Sequence, residues 1–278
     1  MLFQEYLPCS ALVSFIHRYT FIKTDAALSA ETCVPDGFVK LFLSFNGNGV
    51  MPQYAGAGGN MLPWGDGFSG HPDLLAFTIR IPAGLDGLMC TFYPSGFFRL
   101  FRTPVYYLNN DILDPQAIVG KGSGTFPEQL VNTQDTLARV ALLNDHFTGM
   151  LSRLPRSNKP SVTAAEQLLL AEAGNINIDE LADSMATSNR TLRRMFYEQT
   201  GVSPKFYARV LRINKAFRLK KEGAQLSGAD IAYRCGYADQ SHYIREFREF
   251  TGGLPSGSFI EGDHISKKYL GRTPQAQV

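Results

Sequence analysis

Cysteine and tryptophan are scarce in this chain, whose 278 residues hold four cysteines and one tryptophan. Cys9, Cys33, Cys90 and Cys235 are scattered, with no C-x-x-C pair. That spacing argues against a disulfide framework and a zinc cluster, and the four read as reduced thiols. Long apolar runs are missing too. Nothing approaches the ~18 consecutive residues of a membrane span. Ala11–Ile16 is too short for a secretion signal and has no basic segment ahead of it. These shortages lead us to expect a cytoplasmic protein with no membrane partner. Histidine is equally sparse: the first half offers His17, His71 and His146, without H-x-H or H-E-x-x-H spacing. A metal-dependent barrel enzyme would need several such ligands converging on one point. Gly56-Ala-Gly-Gly59 lies in a turn-rich stretch, and no glycine-rich loop follows a strand and opens a helix. The expectation is a protein that is not an enzyme and that uses neither a metal nor a cofactor.

Net charge is also small, at +2, but it hides an asymmetry. Residues 1–159 carry a net of −1 and residues 160–278 a net of +3. Within 186–221 there are ten lysines and arginines and a single acid, Glu198. A local excess of that size is the footprint of a polyanion partner.

What the chain does contain is a core's worth of apolar residues, 44 % hydrophobic against 19 % charged. Its length suits about two domains at ~150 residues each. The first 125 residues read as β-rich. Phe38–Phe45 is a strand between the turns Pro35-Asp36-Gly37 and Asn46-Gly47, and Leu74–Ile81 and Leu88–Tyr93 are further strands. Eight glycines between 46 and 70 fit tight turns, and short strands with frequent turns suggest a barrel or sandwich. A brief helix is expected at Gly96–Phe101. Thr133–Leu154 reads as a helix, Arg156-Ser-Asn-Lys-Pro160 as a polar hinge, and Ser161–Ala173 as a helix stopped by Gly174-Asn175. The expected fold class is α+β. A β-rich barrel-like or sandwich-like domain (1–125) precedes a helical connector (126–158), an all-α domain (159–262) and a flexible tail (263–278).

The last third contains a near-repeat. Leu181-Ala182 recurs as Ile231-Ala232, 50 residues on. Leu192, Arg194, Phe196, Glu198, Thr200, Gly201 and Pro204 recur 51 residues on as Tyr243, Arg245, Phe247, Glu249, Thr251, Gly252 and Pro255, so the second copy has one extra residue in its turn. Each copy reads as a short helix, a tight turn and a longer basic helix: Asp179–Met185 then Asn189–Gln199 in the first, with the long helix near Asp239–Phe250 in the second. In the first long helix Leu192, Met195, Phe196 and Gln199 share one stripe. Arg190, Arg193, Arg194 and Tyr197 follow the same spacing two residues earlier, ~200° around the helix. Grease faces inward and arginine outward, and arginine can pair bidentately with guanine in a major groove. The second long helix divides likewise. Tyr243, Phe247 and Phe250 face the core, Ser241, Ile244, Arg245 and Arg248 face away, and Gln240 stands near the N-terminal end where groove contacts concentrate. Between the copies, Ser203-Pro204 opens a helix in which Phe206, Val210, Ile213 and Phe217 form a buried stripe. Arg209, Arg212, Lys215 and Arg218 cover the remaining circumference and suit phosphate contacts. About 17 residues span ~26 Å, the right order for setting two recognition helices one DNA turn, ~34 Å, apart.

With these motifs in view, residues 176–255 resemble the DNA-binding module of the AraC/XylS family of bacterial transcription regulators. The likeness rests on Asp179-Glu-Leu-Ala182, Ser188-x-Arg-x-Leu-x-Arg-Met-Phe196, Thr200-Gly-x-Ser-Pro204 and Ile231-Ala-x-x-Cys-Gly-Tyr-x-Asp-Gln-Ser-x-Tyr-x-Arg-x-Phe247. The resemblance implies two helix-turn-helix units joined by a long helix, binding double-stranded promoter DNA as an activator or other regulator. By position it assigns base reading to Arg190, Arg193, Arg194, Gln240, Ser241 and Arg245. Ser188, Arg209, Arg212 and Arg248 fall to the phosphates. His242 is expected to pack or cap, and Ile244 to offer at most a thymine methyl contact. Ser258 stands where the family has an aromatic residue, with Phe259 displaced by one. Ahead of the module, Pro35-Asp-Gly37 and Phe92-Tyr-Pro94-x-Gly96-x-x-x-Leu100 resemble an uncharacterised domain that precedes such modules. That second likeness brings no ligand, but the resemblance to AraC-like regulators implies that a domain ahead of the module senses a small molecule, pairs, or both, so a small-molecule effector, a second copy of the chain and RNA polymerase join DNA as candidate partners. The alternative is an interaction or structural protein that keeps the tandem fold without binding an operator.

Overall fold

The computed structural model describes residues 2–47, 51–54, 67–69, 77–109, 112–113, 126–154, 161–221 and 226–255. The hinge at 156–160, Ser258, Phe259, the tail from 263 and most of the glycine-rich stretch lie outside them.

Among the described residues nine strands form two antiparallel sheets. The strands are β1 (Leu2–Tyr6), β2 (Ile16–Lys23), β3 (Leu28–Cys33), β4 (Val39–Ser44), β5 (Met51–Tyr54), β6 (Gly67–Ser69), β7 (Phe77–Ile81), β8 (Asp86–Phe92) and β9 (Ile112–Leu113). Six of them form a sheet in the order β1-β2-β8-β4-β6-β9, and the other three pair as β3-β7-β5. The expected strands at 38–45 and 88–93 are therefore β4 and β8, with ends differing by one or two residues, and the described part of the one at 74–81 is β7, residues 74–76 lying outside the described residues. The register places Tyr19 and Leu41 on either side of Cys90, and all three are buried. α1 (Pro94–Phe101) follows β8 directly, and its Phe97 and Phe101 pack edge-on against Phe92 at 6.1 and 5.7 Å.

α2 (Phe126–Asn132) and α3 (Thr136–Arg153) cover the same core. Leu143 and Phe147 of α3 are buried in it, with Phe147 5.5 Å from Phe92. The Asn144 side-chain oxygen accepts from the Tyr19 hydroxyl at 3.1 Å and from the Cys9 amide at 3.0 Å. Arg139 is buried too, lying 3.7 Å over the Phe45 ring with its Nε donating to the Leu130 carbonyl. The helical stretch expected to connect is thus a wall of the N-terminal core.

The C-terminal region is helical throughout its described residues: α4 (Thr163–Ala171), α5 (Ile178–Ser184), α6 (Asn189–Thr200), α7 (Pro204–Lys221), α8 (Gly228–Arg234) and α9 (Gln240–Thr251). Two apolar clusters hold it together, and α7 feeds both. Tyr207, Ala208 and Leu211 join Leu181, Leu192 and Phe196 in the first unit. Val210, Ile213, Ala216 and Phe217 join Ile231, Tyr243, Phe247 and Phe250 in the second. A helix of 18 residues, ~27 Å long at ~1.5 Å per residue, can serve two cores because its apolar positions run around more than one face.

The two regions are joined by specific contacts. The Pro35-Asp36-Gly37 turn rests on α7: the Asn214 side chain donates to the Pro35 carbonyl at 3.0 Å, and a Cβ at Gly37 would stand 3.0 Å from the Tyr207 ring. At the start of α1, Glu166 of α4 accepts from the Ser95 amide at 3.3 Å and from the Ser95 hydroxyl. Glu166 is fully buried, and burial pushes its carboxyl up to about 7 against the opposing pull of the Ser95 hydrogen bonds and Arg99. The folded chain therefore holds this proton more tightly than the unfolded one, whose ordinary value is 4.5. The stability this group contributes is fully present below that value and is lost as pH rises through about 7. Glutamine has the donor and acceptor set of a protonated glutamate. Urea unfolding on either side of that window should show Glu166→Gln losing less stability than the wild type as pH rises. Equal losses would mean that another group carries the effect.

Candidate nucleic-acid interface

The two helix-turn-helix units repeat in geometry as well as in sequence. The turn residue in the left-handed region is Ala186 in the first (φ 48°) and Gly236 in the second (φ 75°), 50 positions apart. The caps that open the recognition helices are Ser188 and Asp239, 51 apart; Ser188 Oγ accepts from the Thr191 amide at 3.2 Å and Asp239 Oδ1 from the His242 amide at 2.7 Å. The extra residue of the second copy therefore lies between turn and cap, as the offsets imply. Gly201 and Gly252 close the two helices at φ 80° and 72°, a conformation glycine adopts without a Cβ penalty.

On α6, Leu192 and Phe196 are fully buried while Arg190, Arg193 and Arg194 are all exposed. Gln199, on the apolar stripe, is buried, and its side-chain oxygen accepts from the Val162 amide at 3.1 Å. On α9, Tyr243, Phe247 and Phe250 are buried while Gln240, Ser241, Arg245 and Arg248 are exposed. His242 packs edge-on to Tyr237, with ring centroids 5.3 Å apart.

Four sequence expectations take a different form. Ile244 does not face away, because it is half-buried and packed against the second-unit core. Ser188 is exposed, but its hydroxyl donates to Thr191 Oγ1 and caps the helix, which removes it as a dedicated phosphate donor. Arg209 and Arg212 are the larger correction. Arg209 Nε lies 2.8 Å from Glu246 and its Nη2 2.5 Å from Glu249. Arg212 Nη2 lies 3.4 Å from Glu246, while its Nη1 donates to the Gly174 carbonyl of the first unit at 3.2 Å. These guanidiniums hold the two units together instead of lining a free basic side.

Glu246 is the centre of that clamp and was not picked out from the sequence. It is buried, at 4 % exposure, and accepts from Arg209, Arg212 and, at 2.9 Å, the Tyr237 hydroxyl. Burial, followed by the adjacent Glu246 carboxylate, pushes the Tyr237 phenol far up, so it stays a donor. A signal was available: Glu246 stands between Tyr243 and Phe247 on an apolar face, where a carboxylate must be paired. The clamp fixes the second recognition helix relative to the long helix, and through Gly174 relative to the first unit.

Comparison with known proteins finds relatives for two parts of the chain. Residues 181–258 match the family described as a helix-turn-helix domain, a span that starts within α5 and runs past the end of α9. The HTH-type transcriptional activator RhaS of Escherichia coli (strain K12 / DH10B) is 42 % identical over 76 residues. RhaS of Shigella boydii serotype 18 is 43 % identical over 80 residues. The match covers only 27 % of the Escherichia coli relative's length, and 27 % of this chain. Residues 4–114 match a second family, described as a domain of unknown function (DUF6597). Among solved structures, ToxT from Vibrio cholerae O395 is similar at 15 % identity with a TM-score of 0.42, covering 89 % of this chain and 97 % of that one.

Among the described residues no group of three or more metal-ligating side chains gathers, and no helix is long and apolar enough to cross a membrane.

Proposed function

We propose that this chain is a sequence-specific, DNA-binding transcription regulator of the cytoplasm. The observation that carries the reading is the pair of equivalent helices, each capped, each burying its aromatic stripe and each presenting exposed arginines. Arg190, Arg193 and Arg194 on α6 and Gln240, Ser241 and Arg245 on α9 read base edges, and Arg248 meets phosphate. Activation, the role in the name of RhaS, is the sign of regulation we assign, with RNA polymerase as the further partner. The N-terminal unit senses a small-molecule effector, pairs with a second copy, or both. Packing of α3 against the β-sheet core supports drawing that unit through residue 154, with the DNA-binding unit beginning at 161.

The test is equilibrium binding of the full chain to duplex fragments from its own upstream region over a salt series. Affinity should fall linearly in log–log form, at ~0.9 per phosphate neutralised, and one fragment should stand out above the rest. A chain that binds no fragment, or binds all alike without salt dependence, is an interaction protein that has kept only the fold.

A further inference from the structure

Tyr197 is an exposed aromatic residue on the outward face of α6. At ~100° per residue it falls inside the arc bounded by Arg193 and Arg194, so any duplex lying against those arginines passes close to it. Tyr197 is not alone there. Tyr106, from the 3-10 turn Val105–Leu108 of the N-terminal unit, stacks on it with ring centroids 5.4 Å apart and planes 8° apart. Tyr107 follows at 4.6 Å from Tyr106 and is 57 % exposed. The turn is fixed in place, because the Asn109 side chain donates to the Gly201 carbonyl at 2.7 Å at the end of the recognition helix. The outward face of α6 therefore continues, ring by ring, onto the N-terminal unit.

Charge follows the same line. Residues 1–159 are net acidic, yet the stretch 97–109 beside α6 holds Arg99 and Arg102 and no acid. Arg99 lies 4.0 Å over the Phe15 ring and serves the core, whereas Arg102 is exposed at the end of α1, just before the tyrosines. Arginine and tyrosine are both regular donors to phosphate oxygens.

We propose that the Arg102–Tyr107 segment is a second DNA-contacting surface, which binds the phosphate backbone alongside the first recognition helix. This rests on the DNA-binding reading above and extends it to a unit outside the helix-turn-helix domain. The contact is to phosphate, so it adds affinity at every sequence and no base preference. It also makes the docked position of the N-terminal unit part of the binding surface.

The test uses the full chain, a fluorescein-labelled duplex of random sequence and a salt series. Arg102→Asn removes the charge while keeping a residue that tolerates the left-handed backbone of this position, φ 57°. It should bind about 3- to 10-fold more weakly at low salt, with a log–log slope shallower by about one. Tyr107→Phe, which keeps the ring and removes only the hydroxyl, should weaken binding by a smaller factor and leave the slope unchanged. Thermal unfolding checks that both variants keep the wild-type fold. If both bind like the wild type, the proposal is overturned while the DNA-binding reading stands. If either binds more tightly, the segment obstructs DNA, which also overturns it. A wild-type chain with no salt-dependent binding sinks both readings.

Discussion

Glu246→Ala is expected to destabilise the chain by about 2–4 kcal/mol and to uncouple the second recognition helix from the long helix. The substitution deletes one carboxylate but strands three donors: the Arg209 and Arg212 guanidiniums and the Tyr237 hydroxyl. Breaking a fully buried pair by removing one partner costs ~3–5 kcal/mol, because the remaining charge has lost its compensation. The range is lowered here because Arg209 and Arg212 keep 20 % and 17 % of their side-chain surface in water. Arg209 also retains Glu249. Urea unfolding measures the loss directly. DNA affinity should fall as well, although Glu246 is buried, because α9 loses its fixed position. Glu246→Gln keeps the shape and part of the hydrogen bonding and should fall between the two. An alanine variant with the wild-type unfolding midpoint would show that the clamp contributes nothing.

Arg194→Ala is expected to weaken binding to the cognate fragment by about 5- to 150-fold, equivalent to ~1–3 kcal/mol for one bidentate base contact. Discrimination against a fragment mutated at the contacted base should shrink by a similar factor. Stability should hardly move, within ~0.5 kcal/mol, since the side chain is exposed and alanine is a good helix former. The pattern is the reverse of that for Glu246→Ala, where stability and binding fall together. Competition binding with matched and mismatched duplexes separates the two. If Arg194→Ala keeps both affinity and base preference, α6 is not the reading helix.

Local patterns were legible because they depend only on neighbours along the chain. Apolar spacing near 3.6 put Leu192 and Phe196 inward and the arginines outward. The stop at Gly201 follows from glycine's backbone freedom, and the strand at β4 and the helix at α3 follow from patterns within a few residues. The repeat offsets of 50 and 51 even placed the extra residue between turn and cap.

Tertiary structure decided what those exposed-looking charges meet. Arg209 and Arg212 lie on the circumference of a basic helix, and periodicity cannot say that Glu246 and Glu249, 34 to 40 residues away, fold back onto them. The same holds for the junction between the regions, where Asn214 reaches the Pro35 carbonyl across 179 positions and Glu166 caps the start of α1 across 71. It holds too for α3, whose Asn144 and Phe147 read as helix from the sequence but find partners in Tyr19 and Phe92 of the sheet, far away along the chain. Helical phase is set by backbone geometry over a single turn, whereas the choice of ion pair or wall is set by which distant surfaces are brought together. By itself, then, the order of amino acids determined two inward-greased, outward-basic helices. Only the folded chain decided which arginines stay exposed and which hold the protein to itself.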